Sequence, residues 1–186
     1  MNIKSKIEIL TIAVAFLLTM ASYNFTIEKD TPKYVGVTKC VSACHKSESQ
    51  GKQLDIWKSS KHSNAYKSLQ TEAADKIAKD RGIDVPAADA PQCVKCHVLG
   101  KDIDPSELTE TFDKTEGVQC ESCHGPGSEY KSVSIMKDRE KAIANGLIIH
   151  TEKEKFCTQC HNSESPTYKE FDYDKFWEQI KHYKPL

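Results

Sequence analysis

The cysteines of this chain occur only in pairs, and a histidine follows each pair at once. The pattern uses all eight cysteines and four of the seven histidines among 186 residues, which chance does not explain. The four stretches are CVSACH at 40–45, CVKCH at 93–97, CESCH at 120–124 and CTQCH at 157–161. Because C-x-x-C-H is the attachment signal of c-type haem, the sequence predicts four haem c groups and their iron.

The spacing has a chemical reason. Two thiols on one helical turn can add to the two vinyl groups of one porphyrin, and the adjoining imidazole then lies under the iron as its proximal ligand. The predicted attachment residues are Cys40, Cys44, Cys93, Cys96, Cys120, Cys123, Cys157 and Cys160. The predicted proximal ligands are His45, His97, His124 and His161. Disulfides and structural zinc are the alternatives for paired cysteines, but neither needs a histidine after each pair.

The first motif departs from the standard spacing. Val41, Ser42 and Ala43 separate its cysteines, which makes it C-x-x-x-C-H. A haem can be accommodated there if the longer loop bulges outward. The alternative is a disulfide between Cys40 and Cys44, with no haem at this motif.

Three histidines remain as second ligands for four irons: His62, His150 and His182. The simplest allocation is three bis-histidine haems of low potential and one iron with an open position or a different ligand. The alternative for each of the three is an exposed polar residue.

Met136 is the one methionine left if the N-terminal segment is removed. It is a candidate axial ligand, but Tyr130, Val133, Met136 and Ile143 share one face of a predicted helix that ends at Gly146. That periodicity favours a core position for Met136.

Two further stretches are predicted to be helical. His62 lies within residues 55–82, which lack proline and predict a helix that ends near Gly82, and Trp57 could pack against a porphyrin there. The C-terminal stretch YDKFWEQIKHYK has Phe176, Ile180 and Tyr183 at helical spacing and predicts a terminal helix that docks on the body of the protein.

The N-terminus predicts export. MNIKSKIE carries two lysines and precedes a thirteen-residue apolar run, Ile9 to Ala21, which is short for a bilayer span. We predict a signal peptide at 1–21 and a periplasmic domain at 22–186, with an uncleaved membrane anchor as the alternative. The formal charge of −1 for the whole chain gives no basic excess for nucleic acid.

The composition predicts a mainly α fold. A chain with 38% hydrophobic residues has limited aliphatic material for a core, and few segments alternate like strands. With about 41 residues per haem after signal removal, the haems must share walls. We expect one compact tetrahaem domain of short helices and long loops around closely packed haems. The stretch PSELTE predicts a helical turn, and Gly125, Pro126 and Gly127 predict a sharp turn after the third motif.

In order along the chain, KCVSACHK, IWKSSKHSNAYKSL, CVKCHVLG, GVQCESCHGPG and EKFCTQCH resemble the cytochrome c-554/c-prime family of tetrahaem cytochromes. The resemblance implies a periplasmic, mostly helical electron carrier with stacked haem pairs, three bis-histidine irons and one five-coordinate iron. It also implies that His62 is a distal ligand and that the haem at Cys93, Cys96 and His97 is five-coordinate. This chain departs from the family in its widened first motif and in lacking a histidine soon after the GPG turn.

The functional expectation is electron transport. No acid, base or nucleophile constellation is recognisable, so no catalytic residue is predicted. The expected partners are redox proteins, either other cytochromes or an oxidoreductase. The alternatives are reduction of nitric oxide or a similar nitrogen oxide at the open iron, and a subunit of a haem filament.

Overall fold

The computed structural model describes residues 31–41, 43–99 and 103–183, with only the backbone of residue 43. The chain divides into Met1–Thr31 and Pro32–Leu186, and the fold below is that of the second unit. The predicted signal peptide lies outside the described residues.

Short helices make up the regular structure of the described residues, and their bounds are α1 Val37–Cys40, α2 Ala43–Lys46, α3 Gln53–Ser59, α4 Ala65–Leu69, α5 Glu72–Asp80, α6 Pro91–His97, α7 Cys120–His124, α8 Val133–Met136, α9 Arg139–Ala144, α10 Lys153–Cys157 and α11 Tyr173–Ile180. Five 3-10 turns connect them, at Glu48–Gln50, His62–Asn64, Ala87–Asp89, Pro105–Glu107 and Lys114–Glu116. The described part contains no β-strand, only an isolated parallel bridge between Tyr34 and Leu108. The mainly α fold is therefore confirmed.

The helix predicted over residues 55–82 is broken, so that prediction is wrong in its continuity. Ser60 donates its hydroxyl to the Trp57 carbonyl at 2.7 Å and stops α3, because a serine hydroxyl competes for backbone acceptors. Thr71 begins α5 anew by accepting from the backbone N–H of Ala74 at 3.2 Å. The end of α5 lies two residues before Gly82, as expected.

The helix predicted over residues 129–146 is also divided, into α8 and α9, and Tyr130 lies in a turn that precedes α8. Asp138 separates the two by capping α9 with its side chain, a position that aspartate favours over a helix interior. Tyr130 is buried as predicted, but Val133 is 55% exposed and Ile143 is 40% exposed. The predicted core face is therefore wrong for these two residues, and Met136 is half-buried.

The main hydrophobic cluster surrounds the second motif. Cys93 and Val94 of α6 pack against it. Pro91 starts α6 at the first helical position, where the N–H that proline lacks would have no partner within the helix. The buried members of the cluster are Tyr66, Leu69, Ala78, Ala87, Ala88 and Val98. Three of these six are alanines, so aliphatic volume in this core is small, as the composition predicted.

The C-terminal helix is confirmed as α11. It contacts α3, and Phe176 stacks on Phe171 with ring centres 5.6 Å apart. Ile180 is half-buried, whereas Phe176 is 38% exposed. Tyr183 lies beyond the end of α11 and is 59% exposed, so the predicted docking face is only partly covered and is wrong for Tyr183. His182 lies two residues beyond the end of α11.

Two smaller features complete the fold. The turn predicted in PSELTE is the 3-10 turn at Pro105–Glu107, capped by Asp104. None of the helices in the described part of the chain has the length and apolar character that crossing a bilayer requires.

Candidate haem-binding site

The second, third and fourth motifs each lie on one turn of helix. The second motif ends α6, and the third fills α7. In the fourth motif α10 ends at Cys157, and the N–H groups of Cys160 and His161 both return to the Cys157 carbonyl, at 3.2 and 3.0 Å. Each of these cysteine pairs therefore spans one helical turn, the spacing that a single porphyrin requires.

The first motif is divided between two helices. Cys40 ends α1, whereas Cys44 and His45 belong to α2, with Val41 between them. Ser42, in the middle of the widened loop, lies outside the described residues. The extra residue thus interrupts the helix that the other motifs keep.

No disulfide joins any of the eight cysteines in the structure, so the alternative of a disulfide between Cys40 and Cys44 finds no support there. Among the residues that the structure describes, no three cysteine, histidine or acidic side chains converge as a metal ion would require. The described residues thus give no support to the zinc alternative.

The motifs touch through their cysteines. Helix α1, which ends at Cys40, contacts α7, which begins at Cys120, and Cys120 together with burial raises the pKa of Cys40. Burial and then the nearby Cys96 raise the pKa of Cys160. The first motif therefore lies against the third, and the second motif lies against the fourth.

Cys123 connects these two pairs of motifs. Its thiol is close enough to Cys157 and Cys120 for both to affect its titration, and Cys160 in turn senses Cys123. Burial is the main cause that raises the pKa of Cys123 and of Cys160 to about 12 each. A thioether carries no charge, so a sulfur in that form can occupy these buried positions without the desolvation cost of a thiolate. The motifs thus follow one another in the spatial order first, third, fourth, second.

Two proximal histidines are oriented for metal binding. His97 Nδ1 lies 2.7 Å from the carbonyl oxygen of Ala65 and 3.2 Å from the Ser68 hydroxyl. His124 Nδ1 lies 3.0 Å from the carbonyl oxygen of Ile148. Because a carbonyl only accepts, each Nδ1 carries the proton and Nε2 keeps its lone pair for a metal.

Four histidines form two imidazole pairs. The ring centres of His62 and His161 are 6.0 Å apart, and those of His124 and His182 are also 6.0 Å apart. An imidazole nitrogen lies about 2 Å from a metal and about 1 Å from its own ring centre, so two imidazoles on opposite faces of one metal have centres about 6 Å apart. Burial, and then the neighbouring His161, lower the pKa of His62 and favour its neutral, ligating form. Both pairs therefore fit the two axial positions of a haem iron.

His150 has a different environment. Its Nε2 lies 2.7 Å from the carbonyl oxygen of Cys123, and its ring stacks on Phe156 with centres 3.7 Å apart. Because Nε2 donates to that carbonyl, the nitrogen that usually binds iron is occupied. The predicted ligand roles of His150 and His45 stay predictions, as does that of Met136.

Sequence reasoning missed the groups that position these ligands. Phe171 stacks on His161 with ring centres 4.5 Å apart and was not singled out from the sequence. Trp57 was singled out as a residue that could pack against a porphyrin, and its indole N–H donates to the Val118 carbonyl at 2.7 Å. The carbonyls of Ala65 and Ile148 have no sequence signal at all, because any residue provides one.

The predicted turn after the third motif is present. Gly125 adopts φ +77°, a conformation that favours glycine, and the Tyr130 hydroxyl donates to its carbonyl at 2.7 Å. Glu121 lies buried beneath this turn and accepts from the Gly127 N–H at 2.6 Å. Its position inside CESCH did not single it out as a buried residue.

The motif geometry and the imidazole pairs fit a c-type cytochrome. The family described as cytochrome c554 and c-prime matches residues 39–125, which include the first three motifs. Cytochrome c-554 of Nitrosomonas europaea is 33% identical over 165 residues, which cover 81% of this chain and 66% of that protein. The chain belongs to the cytochrome c-554 and c-prime family. No solved structure matches the chain significantly.

Proposed function

We propose that this protein is an exported, periplasmic electron carrier that holds four haem c groups, one at each cysteine motif. When bound, the haem irons supply one-electron chemistry between the ferric and ferrous states. The cysteines tether the porphyrins, and the histidines that follow them bind the irons from the proximal side. The observation that carries the proposal is the contact between motifs, because cofactors tethered to touching helices lie close together.

The imidazole pairs support an assignment of two distal ligands. His62 is the second ligand opposite His161, and His182 is the second ligand opposite His124, each pair with ring centres 6.0 Å apart. Two neutral imidazoles do not favour the ferrous state as a thioether would, so these two irons have low potentials. Tethering and ligation are the tasks of this chain, and the electrons come from redox partner proteins.

The proximity of the cysteines also supports an order for electron transfer. The cysteine contacts run from the first motif to the third, then to the fourth and the second. The first and second motifs are therefore the ends at which partner proteins donate and accept electrons, and the third and fourth motifs lie between them.

Rapid reduction of paired variants tests this function. Cys120→Ala with Cys123→Ala removes the third attachment site, in the middle of the order, and Cys93→Ala with Cys96→Ala removes the second, at one end. After mixing with a low-potential donor, the wild type should be reduced at all haems within one fast phase. The end variant should keep a single phase, whereas the middle variant should gain a slow phase. Single-phase reduction in both variants would contradict the order, and a wild type that stays mostly oxidised would contradict the function.

A second candidate is small-ligand chemistry at an open iron. The described residues bring together two imidazole pairs, to which neither His45 nor His97 belongs, and the resemblance to the family favours an open iron at His97. Nitric oxide or a similar nitrogen oxide would then bind opposite His97. Electron paramagnetic resonance of the oxidised protein tests this, because an open iron gives a high-spin signal that nitric oxide or cyanide changes. Four low-spin haems that neither ligand affects would exclude it.

A further inference from the structure

Glu121 is a buried acid without a basic partner. It is 2% exposed, and among the described residues it takes part in no salt bridge. A carboxylate in such a place is costly unless hydrogen bonds stabilise it, so its position calls for a physical reason. The residue follows Cys120 directly and precedes the proximal ligand His124 by three positions.

Backbone donors surround the carboxylate. Oε1 accepts from the N–H groups of Val35 at 2.9 Å and Gly127 at 2.6 Å. Oε2 accepts from Val35 at 3.0 Å and from Gly36 at 2.7 Å. A protonated carboxyl would need an acceptor for its own proton, but both oxygens here face donors. Glu121 is therefore ionised, and its short bonds are charge-assisted.

These donors come from two segments that carry haem motifs. Residues 35–36 lead directly into α1, which ends at Cys40, and Gly127 closes the turn that follows the third motif. A Cβ on Gly127 would lie 2.9 Å from Oε1, so the turn approaches the carboxylate as closely as a glycine allows. One negative charge thus lies between the first and third attachment sites, shielded from solvent.

The titration of nearby groups agrees with that placement. Cys120, burial and then Glu121 raise the pKa of Cys40. Burial, Cys40 and then Glu121 raise the pKa of Tyr130. Cys40 lowers the pKa of Cys120, and Glu121 acts in the opposite direction. Cys40 and Cys120 belong to different motifs, so the charge acts on both.

We propose that Glu121 is a positioning and potential-setting residue, whose buried negative charge lowers the reduction potentials of the haems at the first and third motifs. Net charge near an iron and solvent exposure both set its potential, and a nearby negative charge favours the ferric state. The same hydrogen bonds fix α1 against α7. The inference rests on the proposed attachment of haem at these two motifs.

Two matched pairs of proteins isolate the charge. The side chain at position 121 has the same shape in the wild type and in Glu121→Gln. Glu121→Asp and Glu121→Asn share a shorter side chain. The two members of each pair therefore differ by one charge. If one pair does not fold, the other still decides. Glu48→Gln is the control, because that carboxylate lies three residues after His45 but its side chain is 84% exposed.

Redox titration followed by electron paramagnetic resonance is the measurement, with the haem content of each protein first verified by intact mass. In each pair the uncharged member should show two haems with potentials raised by ~59 mV or more, which is a tenfold change for a one-electron couple. The other two haems and Glu48→Gln should show much smaller shifts. Four haems with unchanged potentials in both pairs would overturn this inference alone, whereas a missing haem at the first or third motif in the wild type would overturn the proposed function.

Gly127→Ala separates charge from packing. It disturbs the same hydrogen bonds but keeps the carboxylate, so we expect lower stability with potentials close to those of the wild type. Potentials raised as much as in Glu121→Gln would show that packing, not charge, sets them and would overturn the proposal.

Discussion

The contact between the first and third motifs and the contact between the second and fourth look alike at the cysteines but differ in what holds them. Each places two cysteines close together, Cys40 with Cys120 and Cys96 with Cys160. Beneath the first contact, Glu121 is buried and binds only backbone N–H groups. A buried side chain therefore holds the first contact, between the first and third motifs, which we call the inner contact.

Groups near the surface hold the second contact, between the second and fourth motifs, which we call the outer contact. Lys95 Nζ lies 2.5 Å from Glu164 Oε2, with side chains 22% and 58% exposed, and Arg81 donates to the Glu164 carbonyl at 3.2 Å. A partly solvated ion pair contributes little and is screened by salt, whereas a buried carboxylate on fixed donors is not screened. The comparison teaches that similar motif contacts can differ in rigidity and in the electrostatic field that they impose.

The largest expected effect is a change of iron coordination in each region. His62→Ala should remove the second ligand opposite His161, and His182→Ala should remove the one opposite His124, because each leaves an iron with one imidazole. Electron paramagnetic resonance should show one additional high-spin iron in either variant.

His150→Ala is the matched control for these two variants. Its Nε2 already donates to the Cys123 carbonyl, so its removal should leave the high-spin count unchanged. An additional high-spin iron in His150→Ala, with none in His62→Ala, would reverse the ligand assignment.

The next largest effect is expected from filling the space between Gly127 and Glu121 at the inner contact. Gly127→Ala should destabilise the protein by about 2 kcal/mol, because the new methyl group meets Glu121 Oε1 at 2.9 Å and Val35 at 3.4 Å. Thermal and denaturant unfolding measure this.

Gly82→Ala serves as its comparison variant. Gly82 has φ +72° with nothing near its would-be Cβ, so the substitution costs only backbone strain of about 1 kcal/mol. Equal or larger destabilisation by Gly82→Ala would mean that the turn around Glu121 is not closely packed.

The outer contact should respond much less. Lys95→Met is expected to lower the free energy of unfolding by about 0.5 kcal/mol at low ionic strength, and by less at high salt, because the pair is partly solvated. Unfolding at two salt concentrations measures the difference, with Lys76→Met as a control in the exposed pair with Asp80. A loss above 2 kcal/mol that salt does not reduce would place this contact in the same class as the inner one.

The smallest effect concerns pH at the inner contact. Burial raises the pKa of Glu116, and its Oε2 has no hydrogen-bond partner among the described residues. A carboxyl whose folded pKa is raised favours folding below its ordinary value of 4.5 and loses that contribution as pH rises through the folded pKa. Glu116→Gln should therefore be more stable than the wild type at pH 7, with the difference closing toward pH 4.5. Melting temperatures across this range measure it, and a difference that does not depend on pH would contradict the assignment.

The features of this site that depend on neighbouring residues in the chain could be predicted from the sequence. Each cysteine pair and its histidine are adjacent in the chain, so spacing alone indicated the attachment residues, and the absence of alternation indicated a helical fold. The GPG turn and the end of α5 near Gly82 were likewise predicted from glycine and proline.

Features that depend on distant partners were not predictable. Glu121 is separated by about 85 residues from Gly36, and nothing in the local pattern of CESCH indicates that its glutamate is buried. The stretch over residues 55–82 looked continuous because the hydroxyl of Ser60 can either face solvent or stop a helix, and only the fold decides. The exposure of Val133 and Ile143 likewise depends on where α8 and α9 lie, not on their periodicity.

The central claim is that all four motifs hold a covalent haem, and intact-mass measurement with peptide mapping tests it most directly. The protein, produced with haem-attachment machinery, should have the mass of its polypeptide plus four haems, with one haem on each cysteine pair and one on Cys40 and Cys44 despite their wider spacing. A mass of bare polypeptide, or a first motif found as a disulfide or as free thiols while the other three carry haem, would contradict the account.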